Sequence, residues 1–158
     1  MFKKIKYAHE NNKYLLIKKA IRLQSFRLDF NFDMMFALFA KHNDLKFSQK
    51  KEFVGQILQL NDIPIFTPYI NYISTHLKNI FDIGNLDFFY SLKGEIGPAH
   101  KDEENVIILG IKNTTYYHMN NIDLQINPGD ILFVPKNILH HSFSSRERIV
   151  LSISLWEK

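Results

Sequence analysis

The sequence predicts a mainly β protein with helices at its N-terminal end, an α+β chain whose C-terminal half closes into a barrel. Three observations carry this. Up to about residue 85, apolar residues recur at helical spacing, most cleanly at Tyr69, Ile70, Ile73, Leu77 and Ile80. From Leu86 onward, short β-rich pieces at 86–92, 105–112, 114–119, 122–126, 131–134, 139–143 and 148–156 are separated by turn residues, the spacing of a sandwich or barrel of about seven or eight strands. The turns themselves have defined chemistry. Asn120-Asn121 suits a tight hairpin, because Asn tolerates positive φ. Asn127-Pro128-Gly129-Asp130 suits a type II turn, with Pro at its second and Gly at its third position.

At 158 residues the chain is expected to form a single domain, 1–158, with a mostly helical part (1–85) packed against the barrel (86–158). Neither part is long enough for a full core of its own. Fourteen Phe residues predict an aromatic-rich interior. The absence of Cys excludes disulfides, thiolate zinc sites and a Cys nucleophile, leaving His and carboxylates as metal ligands. With no secretory pattern at the start, and with Met34 to Ala40 far short of the roughly 20 residues that span a bilayer, a cytoplasmic protein without a membrane span is expected. Residues 1–27 hold Lys3, Lys4, Lys6, Lys13, Lys18, Lys19, Arg22 and Arg27 against Glu10 alone. Without a zinc finger, an RNP aromatic set or a phosphate loop, this basic arm reads as a solvated, partly mobile terminus and not as a nucleic-acid site.

In chain order, 13–23 fits a short helix or a strand, and Gln24 to Phe30 alternates like a strand. Asn31 caps a helix that ends near His42-Asn43. A second helix is expected from Ser48 to Leu60, and a third over about 68–80, capped by Thr67 with Pro68 at its first position. The Met and Phe stripes of these helices read as core, and His9, His42 and His76 as incidental.

The chemistry lies between Gly94 and His140. His100 and Asp102 are two apart, so on a strand both project to one face. His140 follows a Gly turn and Pro135, and reaches the same ion if the intervening strands roll into a small barrel. Two imidazoles and one carboxylate suit Fe(II), Mn(II) or a similar ion and leave coordination positions open, as in non-haem Fe(II) oxygenases. Glu104 shares the parity of Asp102 and is a reserve ligand. His141 should point away from the site, and His118 reads as a core or rim residue.

These residues resemble the cupins. Gly129-x5-Pro135-x-Asn137-x2-His140 follows the second cupin motif, with Asn137 where Gly is usual and Ser144 where the motif ends in Asn. Gly94-x5-His100-x-Asp102 follows the start of the first, with Asp for the second His and no clear counterpart of its Glu. His-x-Asp, the following Val106-Ile107-Ile108-Leu109, Phe133-Val134-Pro135 and the closing Ser152-Ile153-Ser154-Leu155-Trp156 resemble the JmjC-like, Fe(II)/2-oxoglutarate-dependent branch over about residues 86–156. The resemblance implies a double-stranded β-helix (cupin or jelly-roll barrel), iron held by His100, Asp102 and His140, and 2-oxoglutarate as co-substrate. In that branch a Lys commonly binds the far carboxylate of 2-oxoglutarate; Thr115 stands at its position here, and Tyr117 where an aromatic is usual. A dicarboxylate needs a fixed cation. Arg148, Arg146 and Lys112 are candidates, helped by Tyr90, Thr115, Tyr117 or Ser152. In the last strand Arg148, Val150, Ser152, Ser154 and Trp156 share one face, so Arg148 supplies the charge if that face lines the site.

The leading expectation is therefore an Fe(II)- and 2-oxoglutarate-dependent hydroxylase of a small metabolite or of a peptide or protein side chain. The alternatives are a metallo-cupin dioxygenase or isomerase that does not use 2-oxoglutarate, and a non-catalytic cupin that holds a small ligand. By analogy with cupins, a homodimer is also expected.

Overall fold

Two strands that are buried at nearly every position organise the molecule: β5 (Asn105–Lys112) and β10 (Arg148–Glu157). Such strands must be covered on both faces. The computed structural model describes residues 1–41, 45–47, 52–57, 63–91 and 98–158, and in it β5 and β10 lie side by side at the centre of a seven-stranded sheet. The sheet runs in the order β1 (Leu15–Ile17), β8 (Ile131–Val134), β5, β10, β4 (Phe81–Ser91), β3 (Glu52–Ile57), β2 (Leu45–Phe47). A three-stranded sheet, β7 (Ile122–Ile126), β6 (Thr115–Met119), β9 (His140–Phe143), faces it. All the pairings are antiparallel. The fold is mainly β with helices at the N-terminal side, as expected, and the seven expected strands are all present.

The alternation of β10 divides the interior. Ile149, Leu151, Ile153 and Leu155 join Leu86, Phe88, Tyr90, Ile107, Leu109 and Phe133 in a core covered by helices. The helices are α1 (Phe2–Glu10), which buries Ile5 and Ala8, and α3 (Thr67–Leu77), which buries Tyr69, Ile70, Ile73 and Leu77. On the other face Val150 meets Val106, Ile108, Leu132, Val134, Tyr117, Met119 and Ile126, and this second core lies between the two sheets.

Five expectations about the N-terminal part need correction. Residues 48–60 are not a helix. Where described, Glu52–Ile57 is a strand on the edge of β4, and the rest of that range lies outside the described residues. The apolar spacing there satisfies both periods, and the open edge of β4 decides in favour of a strand. Gln24 to Phe30 is not a strand either: Leu23–Phe26 forms a 3₁₀ helix that ends at Arg27 in the left-handed conformation, φ 56°. The basic arm is not a loose tail: within residues 1–27 lie the core-packed helix α1, strand β1 and that 3₁₀ helix. The N-cap of α3 is Phe66 and not Thr67, which leaves Pro68 within the first turn. Finally, the change to strand comes at Phe81, ahead of residue 85. Helix α2 (Phe32–Lys41) does begin as expected, with the Met34 amide donating to Asn31 Oδ1 at 2.8 Å.

The two expected turns form. Asn120 and Asn121 have φ of 50° and 61°, and Gly129 has φ of 87°. The second turn also ties the N-terminal segment to the barrel. The buried Asp130 carboxylate accepts from the Lys19 amide (2.7 Å), the Asn127 amide (2.9 Å) and Lys18 Nζ (3.1 Å). The Ile21 amide donates to the Gly129 carbonyl at 3.1 Å. Replacing Asp130 by Ala removes the acceptor of two backbone amides and of a charged partner. Urea unfolding should show a loss of about 2–4 kcal/mol.

Candidate metal centre and its cavity

His100 and His140 are brought together by backbone. Each donates its amide to the other's carbonyl at 2.9 Å, an isolated antiparallel bridge between the loop before β5 and the start of β9. A third bond, from the Asn137 amide to the Asp102 carbonyl at 2.9 Å, fixes the acidic residue against the same loop. Asn137 adopts φ of 65° there, a conformation Asn tolerates better than most residues and one that explains Asn at a Gly position of the motif.

The side chains follow from this bridge. Ligand atoms of His100, Asp102 and His140 lie within 4.8 Å of one another, the one such His/Asp/Glu group among the described residues. Asp102 Oδ1 is 3.5 Å from His100 Nε2, and its Oδ2 is 3.5 Å from His140 Nε2. Both Nδ1 atoms face backbone carbonyls, that of His100 toward Pro98 and that of His140 toward Ile138, each at 2.9 Å. A carbonyl only accepts, so Nδ1 carries the proton in both rings and both Nε2 lone pairs face Asp102. Burial pushes the His140 pKa down, opposed by its bond to Ile138 and by Asp102, so the buried ring is held neutral. A neutral, oriented Nε2 is what a metal ligand requires, and the donor set fits a divalent ion with open coordination positions.

The triad opens into a cavity of about 510 Å³. From β10, Arg148, Val150, Ser152 and Ser154 line it, so the polar face of the last strand does point inward; Trp156, at the strand's end, is largely exposed and lies over Gly84 instead. Arg148 is buried, donating to Thr115 Oγ1 through Nη1 and to Ser142 Oγ through Nη2 (2.8 Å). Thr115, expected to bind the co-substrate, thus stands beside the cation. Tyr117 also lines the cavity, its ring 6.0 Å from that of His140.

Other candidates fall elsewhere. Tyr90 belongs to the helix-side core and not to the cavity, because it pairs with Ile149, whose side chain points the same way. Arg146 is exposed, and neither it nor Lys112 lines the cavity. Glu104 lines the cavity but stands apart from the ligand group. His141 stacks on His118 at 5.0 Å on the outer face of the small sheet, and His118 pairs with Asp123 at 2.6 Å, so neither reaches the triad. His9 lies edge-on to Phe81 and His76 stacks on Phe2, both away from the cavity, while His42 lies outside the described residues.

Asp87 was not foreseen. It sits opposite Ser152 in the β4–β10 ladder and lines the cavity with Asn85 and Phe89. Its Oδ1 is buried and accepts no hydrogen bond from the described residues. Burial, helped by the negative Asp102 and Glu104, pushes its pKa up to about 6. The signal was available. Leu86, Phe88 and Tyr90 form the apolar face of β4, so a carboxylate at 87 belongs to the face that continues the polar side of β10.

No protein-family model matches the sequence, and no curated protein is similar to it in sequence. Solved structures are similar in fold. A prolyl-4-hydroxylase from Pseudomonas putida superposes with a TM-score of 0.73 at 9% identity, covering 100% of both chains. YcfD, a ribosomal oxygenase from Escherichia coli, gives a TM-score of 0.70 at 13% identity over 92% of this chain; its complex with cobalt and succinic acid gives 0.69. The chain spans about half the length of YcfD, 48%. An RmlC-like cupin from Shewanella frigidimarina gives 0.51 at 9% identity, covering 73% of this chain and 85% of its own. The chain has the cupin-type double-stranded β-helix fold that these proteins share.

The raised pKa of Asp87 makes its ionisation a cost to the fold. Its contribution is favourable below the unfolded carboxylate range near 4 and is lost as pH rises through about 6. After allowance for partial exposure, the cost above pH 7 is on the order of 1–2 kcal/mol. Asp87→Asn should therefore raise the melting temperature of the metal-free protein at pH 8 by about 3–6 °C. In thermal denaturation followed by circular dichroism, the gain should shrink through pH 6 and be nearly gone at pH 4.

Proposed function

We propose that the chain is an Fe(II)- and 2-oxoglutarate-dependent oxygenase that hydroxylates a C–H bond. The observation that carries this reading is the placement of a buried guanidinium, Arg148, in the same cavity as a preorganised two-histidine, one-carboxylate group. A metal site alone is common to many cupin-type proteins. A fixed cation beside it is what a dicarboxylate co-substrate requires. The likeness in fold to two oxygenases, one of them seen with cobalt and succinic acid, points the same way.

His100, Asp102 and His140 would hold the ion, each imidazole presenting Nε2 while Nδ1–H stays on its backbone carbonyl. When bound there, iron would supply activation of O₂ coupled to oxidative decarboxylation of 2-oxoglutarate. Arg148 would bind the far carboxylate of that co-substrate, in place of the Lys common in the branch that the sequence resembles. Thr115 and Ser142 orient the guanidinium, and Ser152 and Tyr117 offer further hydroxyls from the same wall. Phe89, Val106, Ile108 and Val150 make the remaining wall apolar.

Anaerobic addition of Fe(II) and then 2-oxoglutarate should produce the weak visible charge-transfer band of the chelated pair. Arg148→Gln should need at least about tenfold more 2-oxoglutarate to reach half of that band, with Fe(II) binding retained. Metal uptake without any band would instead favour a metallo-cupin that does not use 2-oxoglutarate. His140→Ala should lose both metal and band.

A further inference from the structure

The metal and co-substrate leave part of the cavity without a role. Arg148 pairs with Ser91 and Asp87 with Ser152, so the guanidinium and the Asp87 carboxylate arise four residues apart along one ladder, roughly 13 Å. The Arg148 end holds Thr115, Ser142 and Tyr117, all donors or acceptors suited to an anion. The other end holds Asp87, Asn85, Glu104 and Ser154, with two carboxylates and no Lys or Arg among the residues that line it.

We infer that Asp87 is a substrate-recognition residue and that the group it accepts is a cationic nitrogen donor, the guanidinium or ammonium of the molecule to be hydroxylated. This rests on the reading above for the occupants of the other end. A divalent ion and a dicarboxylate cancel one another, as do Asp102 and Arg148. Among the described residues that line the cavity, Asp87 and Glu104 then have no cation to balance them, and a substrate can supply it. The buried Oδ1 of Asp87 is an acceptor that the described residues do not engage, and a buried acceptor strongly favours a ligand that donates to it. Its raised pKa agrees, since burial and the negative Asp102 and Glu104 disfavour its charge until a cation stands beside it. The cavity, about 510 Å³, is of the size that takes one such side chain together with a small co-substrate.

Titration calorimetry with the 158-residue chain loaded with Mn(II) and 2-oxoglutarate tests this. The probes are N-acetyl-arginine amide, N-acetyl-lysine amide and agmatine, with N-acetyl-citrulline amide as the neutral counterpart of the first. At least one cation should bind about tenfold or more tightly than the citrulline amide. Asp87→Asn should abolish that preference while Mn(II) affinity stays within about twofold of wild type, and Asp87→Glu should keep part of it. Tighter binding of the amides marks a peptide side chain as the source, and tighter binding of agmatine a free amine. Equal binding of citrulline, a preference that survives in Asp87→Asn, or no binding of any cation at millimolar concentration would overturn the inference. The same titrations on metal-free protein separate the two readings: a cation preference that depends on Asp87 in a protein that takes up no metal would sink the oxygenase assignment and leave this one standing.

Discussion

The pair of backbone hydrogen bonds between His100 and His140 is the constraint on which the site depends. It joins the segment before β5 to the start of β9, forty residues later, and it places two imidazoles on one side of the bridge with centroids 4.5 Å apart. Carbonyls two residues upstream then hold each ring in one tautomer. The geometry of the triad is therefore built largely from main chain, with side-chain choice limited to what sits at three positions. A site of this kind is rigid at little side-chain entropy cost, because the orienting partners are already ordered by the sheets.

The second determinant is the two-sidedness of β10. One face seals the helix-covered core, and the other carries Arg148, Val150, Ser152 and Ser154 into the cavity. The same strand thus secures the fold and presents a buried guanidinium to the cavity, while its neighbour β4 carries Asp87 onto the same wall. Charge is segregated along that ladder, cation at one end and carboxylates at the other, and the metal triad supplies the third polar feature of the same space. The burial of Arg148 and the ionisation of Asp87 are both costs to folding, a pattern expected where a site is maintained for chemistry.

Much of the barrel was legible in the sequence because its determinants are local. Asn120-Asn121 and Pro128-Gly129 specify their turns through φ alone, and strict alternation in 148–155 separates the two faces of β10 without knowledge of its partners. The triad was legible through motif spacing, although residues 100–102 form a loop held by one bridge to His140 and not the strand that i, i+2 parity assumes. What failed depended on partners. Residues 52–57 fit a helix or a strand until β4 offers an edge. The alternation of Phe26, Leu28 and Phe30 is interrupted by Arg27 in a left-handed conformation, which no period reveals. Tyr90 was placed in the site and Asp87 overlooked because assigning the faces of β4 requires its register against β10, Tyr90 to Ile149 and Asp87 to Ser152.

The claim at the centre of this account is that three side chains from two distant segments form one metal site. Equilibrium titration of the metal-free protein with Co(II), followed by visible absorption, tests it most directly. The account predicts one Co(II) per chain, with the spectrum lost in both Asp102→Ala and His140→Ala and retained in His141→Ala and Glu104→Gln. Absence of stoichiometric uptake by the wild type, or uptake that persists unchanged in Asp102→Ala and His140→Ala, would contradict it.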